Sequence, residues 1–71
     1  MKNNVKKIRK ERHLTQTRLV DLINDKMGGV TINQSQLSEL ENQGRGSNNL
    51  DRLYSVALTL NVPLESLLVK G

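Results

Sequence analysis

Between Asn33 and Asn42 the chain reads Asn-Gln-Ser-Gln-Leu-Ser-Glu-Leu-Glu-Asn, with polar side chains on both sides of Leu37 and Leu40. Residues three apart share a helix face, so Asn33 can cap a helix held to a core by these two leucines alone. The rest of its surface is short and rich in hydrogen-bonding groups. Gln34 and Gln36 each carry a donor and an acceptor, the combination that pairs with adenine N6 and N7 in the major groove of DNA. Ser35 and Glu39 could read neighbouring base pairs, Glu39 by accepting from cytosine N4 while being repelled by phosphate. The same side chains are also common on an ordinary solvent-facing helix.

Other chemistries find little to work with. His13 is the only histidine and cysteine is absent, so no thiolate metal site, disulfide or Cys-His nucleophile can form. No paired acids, H-x-x-x-H spacing or phosphate-binding glycine loop occurs, and Gly28-Gly29 reads as a turn. An enzyme, a metal site, a cofactor and a small-molecule ligand are therefore not expected. Tyr54 is the only aromatic residue, which argues against base stacking on single strands. No apolar run approaches the roughly 20 residues of a membrane span, and Met1-Lys2-Asn3-Asn4 does not begin a signal peptide.

The formal charge of +4 is unevenly spread. Residues 1 to 18 hold Lys2, Lys6, Lys7, Arg9, Lys10, Arg12 and Arg18 against Glu11 alone, whereas the remainder is net acidic. This segment could meet a polyanion or could be a solvated basic helix.

The elements that position these residues follow from apolar spacing. Val5 and Ile8 define a short first helix from Asn4 to His13, with Asn3 or Asn4 as cap, closed by Leu14. Thr15 caps a second, on which Leu19, Val20, Ile23 and Met27 recur until Gly28-Gly29 stops it. Val30-Thr31-Ile32 alternates like a strand but is too short, and reads as loop. The polar helix follows, then a loop from Asn42 to Asn49. There Arg45 and the N–H groups of Gly44 and Gly46 could approach phosphates, assisted by Asn48 and Asn49, or the loop could simply be solvated. Leu50, Leu53, Val56, Ala57 and Leu60 give a fourth helix, capped by Asn49 and ended by Asn61, and Pro63 opens a short fifth through Leu64, Leu67 and Leu68. The expectation is a single all-α domain over residues 1–71.

The order of these residues resembles the helix-turn-helix domain of the phage repressor and Cro (Xre) family along nearly the whole chain. The matching pieces are Ile8-Arg9, Leu14-Thr15-Gln16 with Leu19, Gln34-Ser35-Gln36-Leu37 with Leu40-Glu41-Asn42, and Leu60-Asn61-Val62-Pro63-Leu64-Glu65 with Leu67. The resemblance implies a five-helix bundle of the lambda-repressor-like type that binds double-stranded operator DNA as a transcriptional regulator, in the cytoplasm of a bacterial or phage-infected cell. It places Gln34, Ser35 and Glu39 where members read bases, with Gln36 beside them. Gln16 and Asn42 fall on phosphate-contacting places, to which Arg18 and Arg45 add charge. Arg9 and Glu41 fall on a structural ion pair between the first and third helices.

The chain departs from the pattern in two places. About seven extra residues separate Leu19-Val20 from Ile32, which implies a second helix lengthened by about a turn, and Val20 replaces a small alanine. Seventy-one residues leave no room for a sensing domain, so regulation is expected through abundance, a partner or dimerisation, for which Leu64, Leu67 and Leu68 offer a C-terminal surface. The competing reading is a protein-interaction module on the same fold, such as an antitoxin-like or anti-repressor partner.

Overall fold

A computed structural model of the chain describes residues 3–42 and 49–68. Among these residues the architecture is all-helical: α1 (Val5–Glu11), α2 (Gln16–Met27), α3 (Gln34–Glu41) and α4 (Leu50–Leu60), followed by one turn of 3-10 helix, Leu64–Ser66. Helix α2 packs against both α3 and α4, and α1 leans on α3. With no Phe or Trp in the chain, the buried centre is aliphatic, built from Val5, Leu19, Ile23, Ile32, Leu37, Leu40, Leu53, Val56, Ala57, Leu60 and Leu67.

The helix starts follow the expected caps. Thr15 accepts from the Arg18 N–H, and Asn49 from the Arg52 N–H. At α3 the Asn33 side chain accepts from the Gln36 N–H at 2.8 Å while Gln36 Oε1 accepts from the Asn33 N–H at 3.0 Å, a complete capping box. Helix α1 starts differently. Asn4 makes no side-chain cap, and Asn3 Oδ1 accepts from the Val5 N–H instead.

Three helix ends use one device. His13, Gly28 and Asn61 are left-handed, at φ 58°, 79° and 57°. In each case the next residue's N–H bonds five residues back: Leu14 to Arg9, Gly29 to Asn24 and Val62 to Ala57. These are Schellman closures, which satisfy carbonyls that a helix end leaves open. Glycine carries no Cβ penalty at such a position, whereas His13 and Asn61 do.

Helix α2 runs for 12 residues, and Asn24 sets the turn that follows it. Asn24 Oδ1 accepts from the N–H groups of Thr31 at 2.8 Å and Ile32 at 3.0 Å, and Nδ2 donates to the Ile32 carbonyl at 3.0 Å. One side-chain amide thus stands in for a neighbouring strand for this isolated segment. Val30 is 94% exposed at its apex, whereas Ile32 is buried and anchors the entry to α3.

Four expectations are corrected. The fifth helix is only a single 3-10 turn, because the N–H of Asn4 takes the Leu67 carbonyl at 2.8 Å and Asn3 bridges Leu68, drawing the chain out beside its own beginning. Leu67 is consequently fully buried, and Leu64 and Leu68 pack against the core, so these leucines do not form an exposed pairing surface. Met27 is 40% exposed, because the last turn of α2 runs past the core. Leu50, 56% exposed, lies outside the apolar face of α4.

Replacing Asn24 by Ala removes three hydrogen bonds and is expected to cost about 2 kcal/mol in urea unfolding. His13→Gly is expected to stabilise by about 1 kcal/mol and Gly28→Ala to destabilise by a similar amount, because only the backbone conformation decides. A loss on His13→Gly would show that the imidazole, not its φ, matters there.

Candidate nucleic-acid interface

Helix α3 divides by its own periodicity. Leu37, Leu40 and Glu41 are buried, whereas Gln34, Ser35, Glu39 and Asn42 are exposed and Ser38 is half-buried. Gln34, Ser38 and Asn42 fall four apart along one line, with Ser35 and Glu39 on the next. The result is a surface about two turns long made of amides, hydroxyls and one carboxylate. Ser38 belongs to it by its spacing from Gln34 and Asn42, a signal carried by the sequence itself.

The expected residues separate into two groups. Gln34, Ser35 and Glu39 are exposed on this surface, and Asn42 closes its far end. Gln36 does not join them on equal terms, because its acceptor oxygen is taken by the capping box. Paired recognition of adenine needs that oxygen and the amide N–H together, so Gln36 is a helix-capping residue here. Arg45 lies outside the described residues, as do Gly44, Gly46 and Asn48.

Beneath this surface is the ion pair expected from the resemblance. Arg9 Nε donates to Glu41 Oε2 at 2.7 Å, and Nη2 donates to Oε1 at 3.1 Å. The Arg9 side chain is 10% exposed and that of Glu41 is 1%. A guanidinium matches a carboxylate in this two-pronged way, which fixes orientation as well as distance. Arg9 Nη1 also donates to the Leu14 carbonyl at 2.7 Å, holding the α1–α2 corner. Gln16 Nε2 donates to Glu41 Oε1 at 3.0 Å. The first residue of α2 is thereby tied to the last of α3, and Gln16 keeps a second amide N–H for a solvent-side acceptor. Asn3 Nδ2 donates to the Leu40 carbonyl at 2.8 Å, completing the support of the α3 end. Among the described residues no buried side-chain polar atom lacks a partner.

Not all of the basic segment faces water. Besides Arg9, Arg12, though exposed, is tied down, donating from Nη1 to the Leu60 carbonyl at 2.8 Å. Lys6, Lys7 and Lys10 on α1 and Arg18 on α2 remain exposed. Arg52 of α4 stands 3.9 Å from Glu39 and offsets part of its charge, a proximity that the sequence spacing does not reveal. An exposed pair at this distance adds little stability, but it lessens the repulsion of an approaching phosphate.

Among the described residues no group of His, Asp or Glu could hold a metal ion, and no helix is long and apolar enough to cross a membrane. No family model matches the chain, and no curated protein and no solved structure matches it either. The resemblance to the phage repressor family thus stands on the quoted residues.

Breaking the ion pair tests its role. Arg9→Met leaves the Glu41 carboxylate buried with its main counter-charge gone and is expected to cost about 3 to 5 kcal/mol, a large share of a small domain's stability. Adding Glu41→Leu should recover most of that loss in urea titrations. A cost below about 1 kcal/mol for Arg9→Met would show that the pair does not hold the helices together.

Proposed function

We propose that this chain binds double-stranded DNA sequence-specifically as a transcriptional regulator, with α2, the turn and α3 acting as a helix-turn-helix and α3 entering the major groove. The observation that carries the reading is the division of α3. Its apolar side is locked to α1 and α2 by Leu37, Leu40 and the Arg9–Glu41–Gln16 cluster, and its opposite side offers Gln34, Ser35, Ser38 and Glu39 to solvent. A groove-reading helix needs this combination of rigid seating and short, mixed donor and acceptor groups.

The roles divide by chemistry. Gln34, at the helix start, offers an amide pair suited to adenine. Ser35 takes either a donor or an acceptor, and Glu39 favours cytosine N4. The free N–H of Gln16, the guanidinium of Arg18 and the amide of Asn42 are the phosphate contacts that set register. The lysines of α1 supply longer-range attraction, since α3 itself bears no cation. Asn24 gives the long α2–α3 connection a defined shape, which a base-reading helix requires.

Selection of bound sites from random duplexes, followed by titration at two salt concentrations, tests this. The expected outcome is one enriched motif, with affinity falling with salt at a logarithmic slope near −3 to −4, if the four exposed cations Lys6, Lys7, Lys10 and Arg18 each neutralise about one phosphate. Gln34→Ala should lose about 1 to 3 kcal/mol of discrimination at one base pair with unchanged stability. Gln36→Ala should instead lose about 1 kcal/mol of stability through the capping box and leave the motif intact. Absence of any motif, or salt-insensitive binding, would reject the reading and leave the protein-interaction module in its place.

A further inference from the structure

Val30 is 94% exposed, far above the 56% of Leu50, the next of the exposed large apolar residues among those described. A single exposed valine is ordinary on a protein surface and decides nothing alone. What sets Val30 apart is how firmly the chain on either side of it is held. On one side the Gly29 N–H donates to the Asn24 carbonyl at 3.0 Å, and on the other the Thr31 N–H donates to Oδ1 of the same Asn24 at 2.8 Å. The Thr31 hydroxyl donates across the tip to the Gly29 carbonyl at 3.2 Å. Valine, branched at Cβ, is itself stiff about χ1. The core takes Ile32 and leaves Val30 out, so folding gains nothing from an apolar side chain at this place. One side chain presented on a loop by a rigid scaffold is the usual arrangement of a contact residue.

We propose that Val30 is a base-contacting residue that recognises the C5-methyl group of a pyrimidine in the major groove, close to the base pair read by Gln34. This rests on the DNA-binding function proposed above and adds a specificity-determining residue to that site. The position follows from the chain. In a helix-turn-helix the residues that begin the reading helix lie at the base edges, and the turn leads directly into them. Val30 stands four positions before Gln34, so the two Cα atoms are at most about 14 Å apart. At a rise of about 3.4 Å per base pair, Val30 lies within about four base pairs of the one that Gln34 meets.

The chemistry of the side chain selects the target. Valine has no donor, acceptor or charge to offer a phosphate or a polar base edge, and the C5-methyl group is the apolar feature of the major groove. Residues 28–33 carry no charge, so the tip itself does not repel phosphate. Two pyrimidines present a methyl at this carbon, thymine and 5-methylcytosine. The contact is the same for both, and the DNA decides which one is met.

The test uses the full chain and the duplex selected from random sequences. Gln34→Ala marks the base pair at which discrimination is lost. Each thymine within about four base pairs of it is replaced in turn by deoxyuridine, which deletes the methyl and leaves every hydrogen-bonding group in place. At one thymine the wild type should lose about fourfold in affinity, the factor for returning one methyl to water. Val30→Ser removes both valine methyls from an exposed position without touching the bonds of Asn24. It should keep the wild-type urea midpoint and bind the thymine and deoxyuridine duplexes equally. Each cytosine in the same window is separately replaced by 5-methylcytosine, and a gain of about fourfold in the wild type that Val30→Ser lacks assigns the contact to that base instead. No methyl effect at any of these pyrimidines, or one that Val30→Ser retains, would overturn the proposal while the selected motif keeps the DNA reading in place. Absence of any selected motif would reject both.

Discussion

The rest of the molecule is arranged around the contact of Arg9 with Glu41. An aliphatic core in so short a chain can hold helices together, but leucine and valine contacts are non-directional and specify rotation and register poorly. A two-pronged ion pair at 2.7 and 3.1 Å is directional. Because Arg9 also holds the Leu14 carbonyl and Glu41 also holds Gln16, one buried cluster joins α1, the α1–α2 corner, the start of α2 and the end of α3. Burying two charges costs free energy that their attraction only partly offsets. What the cluster contributes is orientation: it turns the Gln34 side of α3 outward and sets Gln16 beside its far end.

The connections follow the same economy. Helices α1, α2 and α4 each end in a left-handed residue and a backbone bond to an earlier carbonyl, so each turn is closed without side chains that the surface could use. The long link between α2 and α3 is the exception, and there a single amide, that of Asn24, replaces the missing backbone partner. This link consequently forms a shaped turn, and α3 is entered through a buried Ile32 and a reciprocal cap.

Surface chemistry is sorted by helix. Helix α1 turns lysines outward, α3 turns out amides and hydroxyls, and α4 turns out leucine and tyrosine. Each helix is tied to the core by its opposite face, so the three surfaces can differ without conflict.

The helices and their caps were legible in the sequence, because apolar spacing and the residues Thr15, Asn33 and Asn49 act locally and need no knowledge of neighbours. The division of α3 was legible for the same reason. The Arg9–Glu41 pair was reached only through a resemblance, since nothing local links residues 32 positions apart. Other features depended on the tertiary structure. Gln36 looks like Gln34 in sequence, and only its reciprocal bond with Asn33 takes its acceptor oxygen out of the exposed polar face. Leu67 and Leu50 both belong to regular apolar patterns, yet the chain end folding back beside Asn3 and Asn4 buries the first, and the placement of α4 leaves the second in solvent. Spacing along one chain determines which residues share a face. Which face meets the core, and which is left to solvent, is decided by how the helices pack.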